Sequence, residues 1–287
     1  MASQMTGFLI LHGVSYAAIL FTVASGFTLI FGLMRIVNLS HGALYLLGGY
    51  IGLVAAEKTG NFWLAIASGA IFVALVGFII YAGLLRRIRG GELQQVLLTL
   101  GVALIINDLI LVIWGGDTFS VPIAPVLEGS TRLGSLIYPT YRLFVIGASL
   151  LILVGLTVLL NMTRLGSLIR AGVDDPEMVT AMGIDIRRIF VVTFMLGCAL
   201  AGTGGVLGGA FLTLYPTADS EILVFSLAVV VIGGCGSLMG AALGSVLIGL
   251  LATFGQVWFS ELAYFVIFAP MAVFLAFRPL GLFGRPA

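Results

Sequence analysis

The chain alternates long apolar runs with short polar intervals. The runs recur from Phe8 to Phe277 and are roughly 17–25 residues long, the length at which a helix crosses the ~30 Å hydrocarbon core of a bilayer. They lack the two-residue alternation of membrane β-strands. The pattern therefore predicts an all-α polytopic membrane protein with eight to ten transmembrane helices, in which residues 1–287 form a single transmembrane domain.

Composition points the same way, because 61% of the residues are hydrophobic and only 9% are charged. A soluble domain carries about 25% charged residues, so this chain must use lipid as its solvent. The net charge of +1 gives no sign of a nucleic-acid partner. Two cysteines and two histidines are too few for a metal cluster, and we expect neither a metal nor a cofactor.

The arginines predict the orientation, because Lys and Arg in short loops favour the cytoplasm. Three basic residues fall on the other side, Lys58, Arg132 and Arg142. The N-terminus is thus predicted outside and the C-terminus in the cytoplasm, with nine crossings as the best count. The ten basic residues predicted inside are Arg35, Arg86, Arg87, Arg89, Arg164, Arg170, Arg187, Arg188, Arg278 and Arg285.

Two glycine-bounded intervals, 32–42 and 233–240, are ambiguous between a loop and a break within a membrane helix. The first places Asn38, Ser40 and His41 beside Gly42. Polar groups at membrane depth mark a substrate pathway, and unwound backbone is tolerated there only when it is buried or lines a cavity. A cytoplasmic loop with an ordinary helix N-cap at Asn38 or Ser40 is the alternative, and the sequence favours neither.

The interval 162–188 is predicted to be cytoplasmic and to contain a short capped helix. Asp174 and Asp175 are typical N-cap residues, and Pro176 suits the first turn of a helix. Glu177 adds an acidic residue to that turn, and Gly183 is a typical helix terminator. The helix is too short and too weakly apolar to span. From the residues alone, a connector lying at the headgroups and a helix that docks on a partner are equally compatible with it.

Further candidates are an acidic residue within a span and two glycine-rich stretches. Asp108 lies toward the outer end of its span and either pairs with a positive group or faces the outer mouth of a pathway. The glycines of 197–209 and 233–244 favour close helix packing. A gate or hinge is the alternative, with Gly233, Gly234, Gly236 and Ser237 as its residues.

Three kinds of transporter fit these features: a permease driven by separate ATPases, an ion-coupled carrier, and a passive channel for a small polar solute such as urea or an amide. The chain carries no P-loop of its own. The second glycine of that motif directly precedes the lysine, and Glu57 occupies this position before Lys58. No nucleophile–base pair suggests an enzyme. The spans after Arg188 contain no ionisable residue, which disfavours an ion-coupled carrier.

Three stretches resemble, in order, the blocks of the branched-chain amino acid ABC importer permeases (LivH-type subunit). They are GLMRIVNLSHGALYLLGGYIG, RAGVDDPEMVTAMGIDIRRIFVVTFMLGCALAGTGGVLGG and VVVIGGCGSLMGAALGSVLIGLL. The resemblance implies the ABC importer permease fold and one half of a bacterial inner-membrane pathway for branched-chain or other amino acids. It also implies a more central, pathway-adjacent position for residues 38–42.

The same resemblance implies partners and a coupling helix. The partners are a second homologous permease, two cytoplasmic ABC ATPase subunits, and a substrate-binding protein outside. The residues implied to dock in a groove of the ATPase are Asp174, Asp175, Pro176, Glu177, Met178, Ala181 and Gly183.

Overall fold

The computed structural model describes residues 2–88, 91–134, 136–174, 176–278 and 281–283. Helices make up most of this part of the chain, as apolar runs of membrane length require. Their bounds are α1 Ala2–Met34, α2 His41–Thr59, α3 Phe62–Phe78, α4 Glu92–Trp114, α5 Thr140–Met162, α6 Arg164–Asp174, α7 Pro176–Ala181, α8 Ile186–Phe211, α9 Ala218–Gly233, α10 Leu238–Trp258 and α11 Ala263–Phe277.

Short irregular elements join or extend these helices. Helix α3 continues through a π-helical turn, Ile79–Leu84, and a 3₁₀ turn, Leu85–Arg87. Two further 3₁₀ turns are Pro125–Leu127 and Ser260–Leu262.

A small β-hairpin between α4 and α5 corrects the all-α prediction. Strand β1, Ser130–Leu133, pairs antiparallel with β2, Leu136–Pro139, so that Thr131 lies opposite Tyr138. Gly129 and Gly134, both at positive φ, bracket β1 and allow the chain to turn at each end. The fold is mostly helical rather than all-α.

Within the described part of the chain, six helices are long and apolar enough to cross a membrane: Gln4–Gly32, Phe62–Arg87, Glu92–Trp114, Thr140–Met162, Ile186–Phe211 and Leu238–Trp258. Helix α2 carries Glu57 and Lys58, and α9 and α11 have only 16 and 15 residues. Most residues of α2 are buried against other helices, so that α2 does not need the uniform apolar surface of a lipid-facing span.

Helices α1, α2 and α8 form the centre of the bundle. The apolar window of α1 is 89% buried, whereas that of α5 is only 17% buried. Glycines make the central contacts. Gly26 of α1 packs on Gly197 of α8, and Gly48 of α2 packs on Gly202 of α8. A Cβ added at Gly26 or Gly48 would collide with the α8 backbone. The predicted packing role of the 197–209 glycines is confirmed.

The two ends of the bundle can be told apart from the course of α8. This helix starts directly after α7 and runs antiparallel to α1, with Gly197 against Gly26 and the Phe211 ring 5.7 Å from the His12 ring. The start of α1 and the end of α8 therefore share one end, which we call the distal end. Helix α7 lies at the opposite end.

Candidate functional site

The link between α1 and α2 folds back into the bundle. Helix α1 ends at Met34, where Arg35 adopts a left-handed φ of 52° and its N–H donates to the Phe31 carbonyl at 2.9 Å. The His41 Nε2 then lies 3.0 Å from the carbonyl oxygen of Val23. Val23 is about 16 Å from the end of α1 at 1.5 Å per residue, within the Gln4–Gly32 span.

Residues 38–42 therefore lie at membrane depth, and the cytoplasmic-loop alternative for this interval is wrong. Asn38, Ser40 and His41 are all fully buried. Ser40 precedes α2 without capping it, because its hydroxyl donates to Asn38 Oδ1 at 2.6 Å instead. The Ser40 N–H also approaches that oxygen, at 3.2 Å. The interval is a break within the membrane-embedded helices.

Helix α4 supplies the hydrogen bonds that hold this unwound backbone. The Leu39 N–H donates to Thr99 Oγ1 at 3.1 Å. The Thr99 hydroxyl is shared between the carbonyls of Val37, at 3.3 Å, and Val96, at 3.0 Å. Thr99 is fully buried. The sequence analysis missed this residue because a lone threonine in an apolar run gives no signal of its own.

Two buried nitrogen atoms of the break, Asn38 Nδ2 and His41 Nδ1, have no hydrogen-bond partner among the described residues. Buried polar groups are usually paired, so the break offers two ring or amide nitrogens to a water or a solute. The Phe27 ring meets the His41 ring edge to face at 5.4 Å and fixes its plane.

A second polar contact lies beside Gly42. The Gly42 backbone packs on the carbonyl of Asp219, at the start of α9, so closely that a Cβ would not fit. The Asp219 carboxylate in turn accepts a hydrogen bond from Asn107 Nδ2 at 2.7 Å. The structure thus brings residues 38–42 together with Asn107 and Asp219. Asp108 is not part of this group, because its side chain lies on the exposed face of α4.

The segment 233–240 forms a tight turn between α9 and α10. Gly234 and Gly236 have φ angles of 93° and 84°, and Ser237 Oγ accepts from the Gly240 N–H at 3.0 Å as the N-cap of α10. The Gly236 backbone packs against Gly32 of α1. This interval is therefore a packed turn, and a hinge role for Gly233, Gly234, Gly236 and Ser237 stays a prediction.

The interval 162–188 contains two helices, where the sequence predicted one. Helix α6 is amphipathic: Ile169 is buried and Arg170 exposed. The Arg170 guanidinium hydrogen-bonds the Leu160 carbonyl and Asn161 Oδ1, which ties α6 to the end of α5. Asp174 ends α6, and Asp175, the other predicted cap residue, lies outside the described residues. The side chains of Asp174 and Pro176 also lie outside them.

Helix α7 is the short capped helix predicted in this interval. Gly183, at a φ of 79°, follows its last residues, and the Gly183 N–H donates to the Thr180 carbonyl at 2.9 Å. Val179 is 3% exposed and anchors one face. Met178 and Met182 are 59% and 70% exposed on the other. Glu177, Ala181 and Gly183 are exposed as well.

Helix α8 is fixed directly after this segment. The Asp185 carboxylate caps it by accepting from the Arg187 N–H at 3.1 Å, and it pairs with the Arg188 guanidinium at 3.1 Å. Helix α7 is thus followed after four residues by the start of α8, a central helix of the bundle.

At the distal end, a cavity of about 370 Å³ lies among α1, α2 and α8–α11. Its wall includes the aromatic rings of Tyr16, Tyr45 and Phe225 and the carboxylate of Glu221. Glu221 was not among the site residues predicted from the sequence, although an acidic residue at the start of an apolar helix was an available signal.

Known proteins resemble this chain over nearly its whole length. Residues 9–275 match the family described as "Branched-chain amino acid transport system / permease component". The Escherichia coli K12 permease protein LivH, of the high-affinity branched-chain amino acid transport system, is 27% identical over 100% of this chain and 98% of its own length. The LivM permease protein of the same system is 27% identical, over 90% and 66%.

A solved structure supports the fold. PsaBC from Streptococcus pneumoniae, in complex with a Fab, matches with a TM-score of 0.52 and 15% identity, over 96% of this chain and 94% of that one. At this identity the match concerns the fold alone. The family match covers nearly the whole chain, which places it in the bacterial inner membrane and leaves the channel and carrier alternatives without support. This chain belongs to the permease components of the branched-chain amino acid ABC transport systems.

Proposed function

We propose that this chain forms half of the translocation pathway of an ATP-driven importer for branched-chain amino acids. In this proposal, two cytoplasmic ATPase subunits move α7, a second homologous permease completes the pathway, and a binding protein delivers the solute outside. The family match over residues 9–275 is the observation that carries the proposal. The chain itself acts as a transporter subunit and not as an enzyme.

Helix α7 is the proposed docking element for the ATPase. Met178 and Met182 present an apolar surface on a segment that also carries exposed charges, including Arg187 and Arg188. Adjacent exposed apolar side chains in polar surroundings typically mark a protein contact. The exposed face of α7 is therefore assigned to the ATPase groove, and the buried Val179 to the permease side. The sequence had left the choice of face open.

The proposed membrane arrangement has nine crossings in the described chain, α1–α5 and α8–α11, within the eight to ten predicted. The distal end, with Lys58 and Arg142, faces outside. The α7 end, with Arg170 and Arg188, faces the cytoplasm, as the distribution of basic residues favours. The N-terminus is accordingly outside and the C-terminus in the cytoplasm.

The second permease is proposed to cover the exposed face of α4. That face combines Leu104, Ile105 and Leu109 with the carboxylate of Asp108. Asp108 lies about 9 Å from the last residue of α4 at 1.5 Å per residue. A carboxylate exposed to hydrocarbon at a helix centre costs roughly 2.5–3.5 kcal/mol, and a polar group on a partner helix removes part of that cost.

The coupling proposal is tested with the double substitution Met178→Arg and Met182→Arg in the assembled transporter. Burial of each methionine in a groove stabilises the contact by about 1.5–3 kcal/mol, so that loss of both weakens ATPase docking by roughly 10²–10⁴-fold. We expect ATP-driven leucine uptake in proteoliposomes to fall at least tenfold, and the ATPase subunits to be lost on purification.

Met162→Arg is the matched control, because Met162 is 81% exposed at the end of α5, outside α7. This variant should retain both uptake and the ATPase subunits. Uptake by the double variant at the level of the Met162→Arg control contradicts the docking proposal.

A further inference from the structure

The distal cavity carries a carboxylate without a cationic partner. Glu221 is half-buried in the cavity wall, and the Tyr215 hydroxyl donates to its Oε2 at 2.8 Å. Within the described part of the chain, no Lys, Arg or His lies within 4.0 Å of this carboxylate. Glu221 is in the first turn of α9, at the end of the helix whose dipole is complementary to a carboxylate. The cavity therefore presents a negative acceptor toward its interior.

A hydrogen-bond donor, His12 of α1, lines the same cavity. The Arg142 guanidinium lies 2.8 Å from His12 Nδ1. Because an arginine side chain only donates hydrogen bonds, Nδ1 must accept, and the ring proton of a neutral His12 sits on Nε2. The His12 ring stacks at 5.7 Å on Phe211, which itself lies 4.8 Å below the Arg142 guanidinium. His12 is thus a fixed donor with a positive charge behind it.

Apolar side chains form another part of the cavity wall. They include Ile222, Phe225 and Ile267, and Phe225 packs edge to face on Tyr16 at 6.3 Å; Thr253, Gln256 and Ser260 add polar groups. The volume of about 370 Å³ lies in the range of small-molecule sites. A solute that satisfies all three features carries an ammonium group, a carboxylate and a compact aliphatic side chain.

We infer that this cavity is a binding site for a zwitterionic aliphatic α-amino acid on its way into the pathway. Glu221, held by Tyr215, accepts the ammonium group, and His12, backed by Arg142, donates to the carboxylate. Ile222, Phe225 and Ile267 contact the side chain. The inference rests on the proposed import function and adds that the permease itself, apart from any binding protein, recognises the amino and carboxyl groups.

The test is equilibrium binding of radiolabelled leucine to the purified transporter complex, with no binding protein present. Glu221→Gln keeps an acceptor for the Tyr215 hydroxyl but removes the negative charge, and we expect leucine binding at least tenfold weaker. Glu221→Asp should recover part of the affinity. Glu128→Gln makes the same change at an exposed carboxylate outside the cavity and should leave binding unchanged.

Competition with 4-methylpentanoate, which resembles leucine without the ammonium group, separates recognition from damage. The wild-type complex and the Glu221→Gln variant should bind this acid equally. Equal leucine affinity in wild type and Glu221→Gln overturns the inference, and so does an equal loss of leucine and 4-methylpentanoate. If the wild-type transporter imports no leucine, isoleucine or valine with ATP, the proposed function fails. If the wild-type transporter imports leucine with ATP and the Glu221→Gln variant binds leucine as tightly as wild type, only the proposed binding site in the cavity is wrong.

Discussion

Thr99→Val removes the side chain that holds the membrane break without changing the size of the residue. Valine matches threonine in shape, so the substitution opens no cavity. It deprives the Leu39 N–H of the acceptor at 3.1 Å and the Val37 carbonyl of the donor at 3.3 Å. An unpaired buried backbone N–H costs about 1–3 kcal/mol. Because Thr99 and Asn38 are both fully buried, water does not readily replace the lost partner.

We expect local opening of the break to become about 30-fold more frequent, which corresponds to roughly 2 kcal/mol at 1.4 kcal/mol per decade. Hydrogen–deuterium exchange of peptides covering residues 35–41, in the purified complex, measures this opening. Thr157→Val is the matched control, because the Thr157 hydroxyl also donates to a carbonyl, that of Leu153 at 2.7 Å, but on an exposed face. Exchange in this segment that is the same for both variants refutes the role given to Thr99.

Two further predictions concern glycines. Gly205→Ala should destabilise the bundle by several kcal/mol and lower the yield of folded chain, because a Cβ at this position meets the backbone of Tyr45. The control is Gly101→Ala, which should be neutral or stabilising by up to about 1 kcal/mol, because no heavy atom lies within 4 Å of the added Cβ. Equal thermal stability of the two variants contradicts the packing role of Gly205. Gly183→Ala forces alanine to a φ of 79°, which should destabilise the turn after α7 by about 1–2 kcal/mol and reduce ATP-driven uptake. The control is Gly91→Ala, which should leave uptake unchanged because Gly91 has a φ of −71°. Identical uptake by the two variants contradicts the need for a left-handed residue after α7.

The sequence predicted the features that depend on local pattern. Apolar run length gave the helical membrane fold, and the succession of residue types ending at Gly183 gave α7, which the structure shows from Pro176 to Ala181. The glycines of 197–209 were correctly expected at helix contacts, because small side chains at four-residue spacing permit backbone approach.

Features that depend on distant contacts were not predictable from one sequence. The depth of residues 38–42 follows from the contact between His41 and Val23, and nothing in the residues themselves distinguishes a fold-back from a surface loop. Thr99 holds the break from 60 residues away in the chain. The distal cavity combines His12, Glu221 and Ile267 from three separate helices. Such groupings arise only when helices pack.

We propose that this chain conducts branched-chain amino acids only when ATPase subunits drive it. Uptake of radiolabelled leucine tests this in proteoliposomes that contain this chain with its co-purified partner subunits and a cognate binding protein. We expect leucine to accumulate with ATP on the α7 side and not with a non-hydrolysable analogue. Equilibration of leucine, urea or an amide through this chain alone, without ATP, would show that the chain is a passive channel.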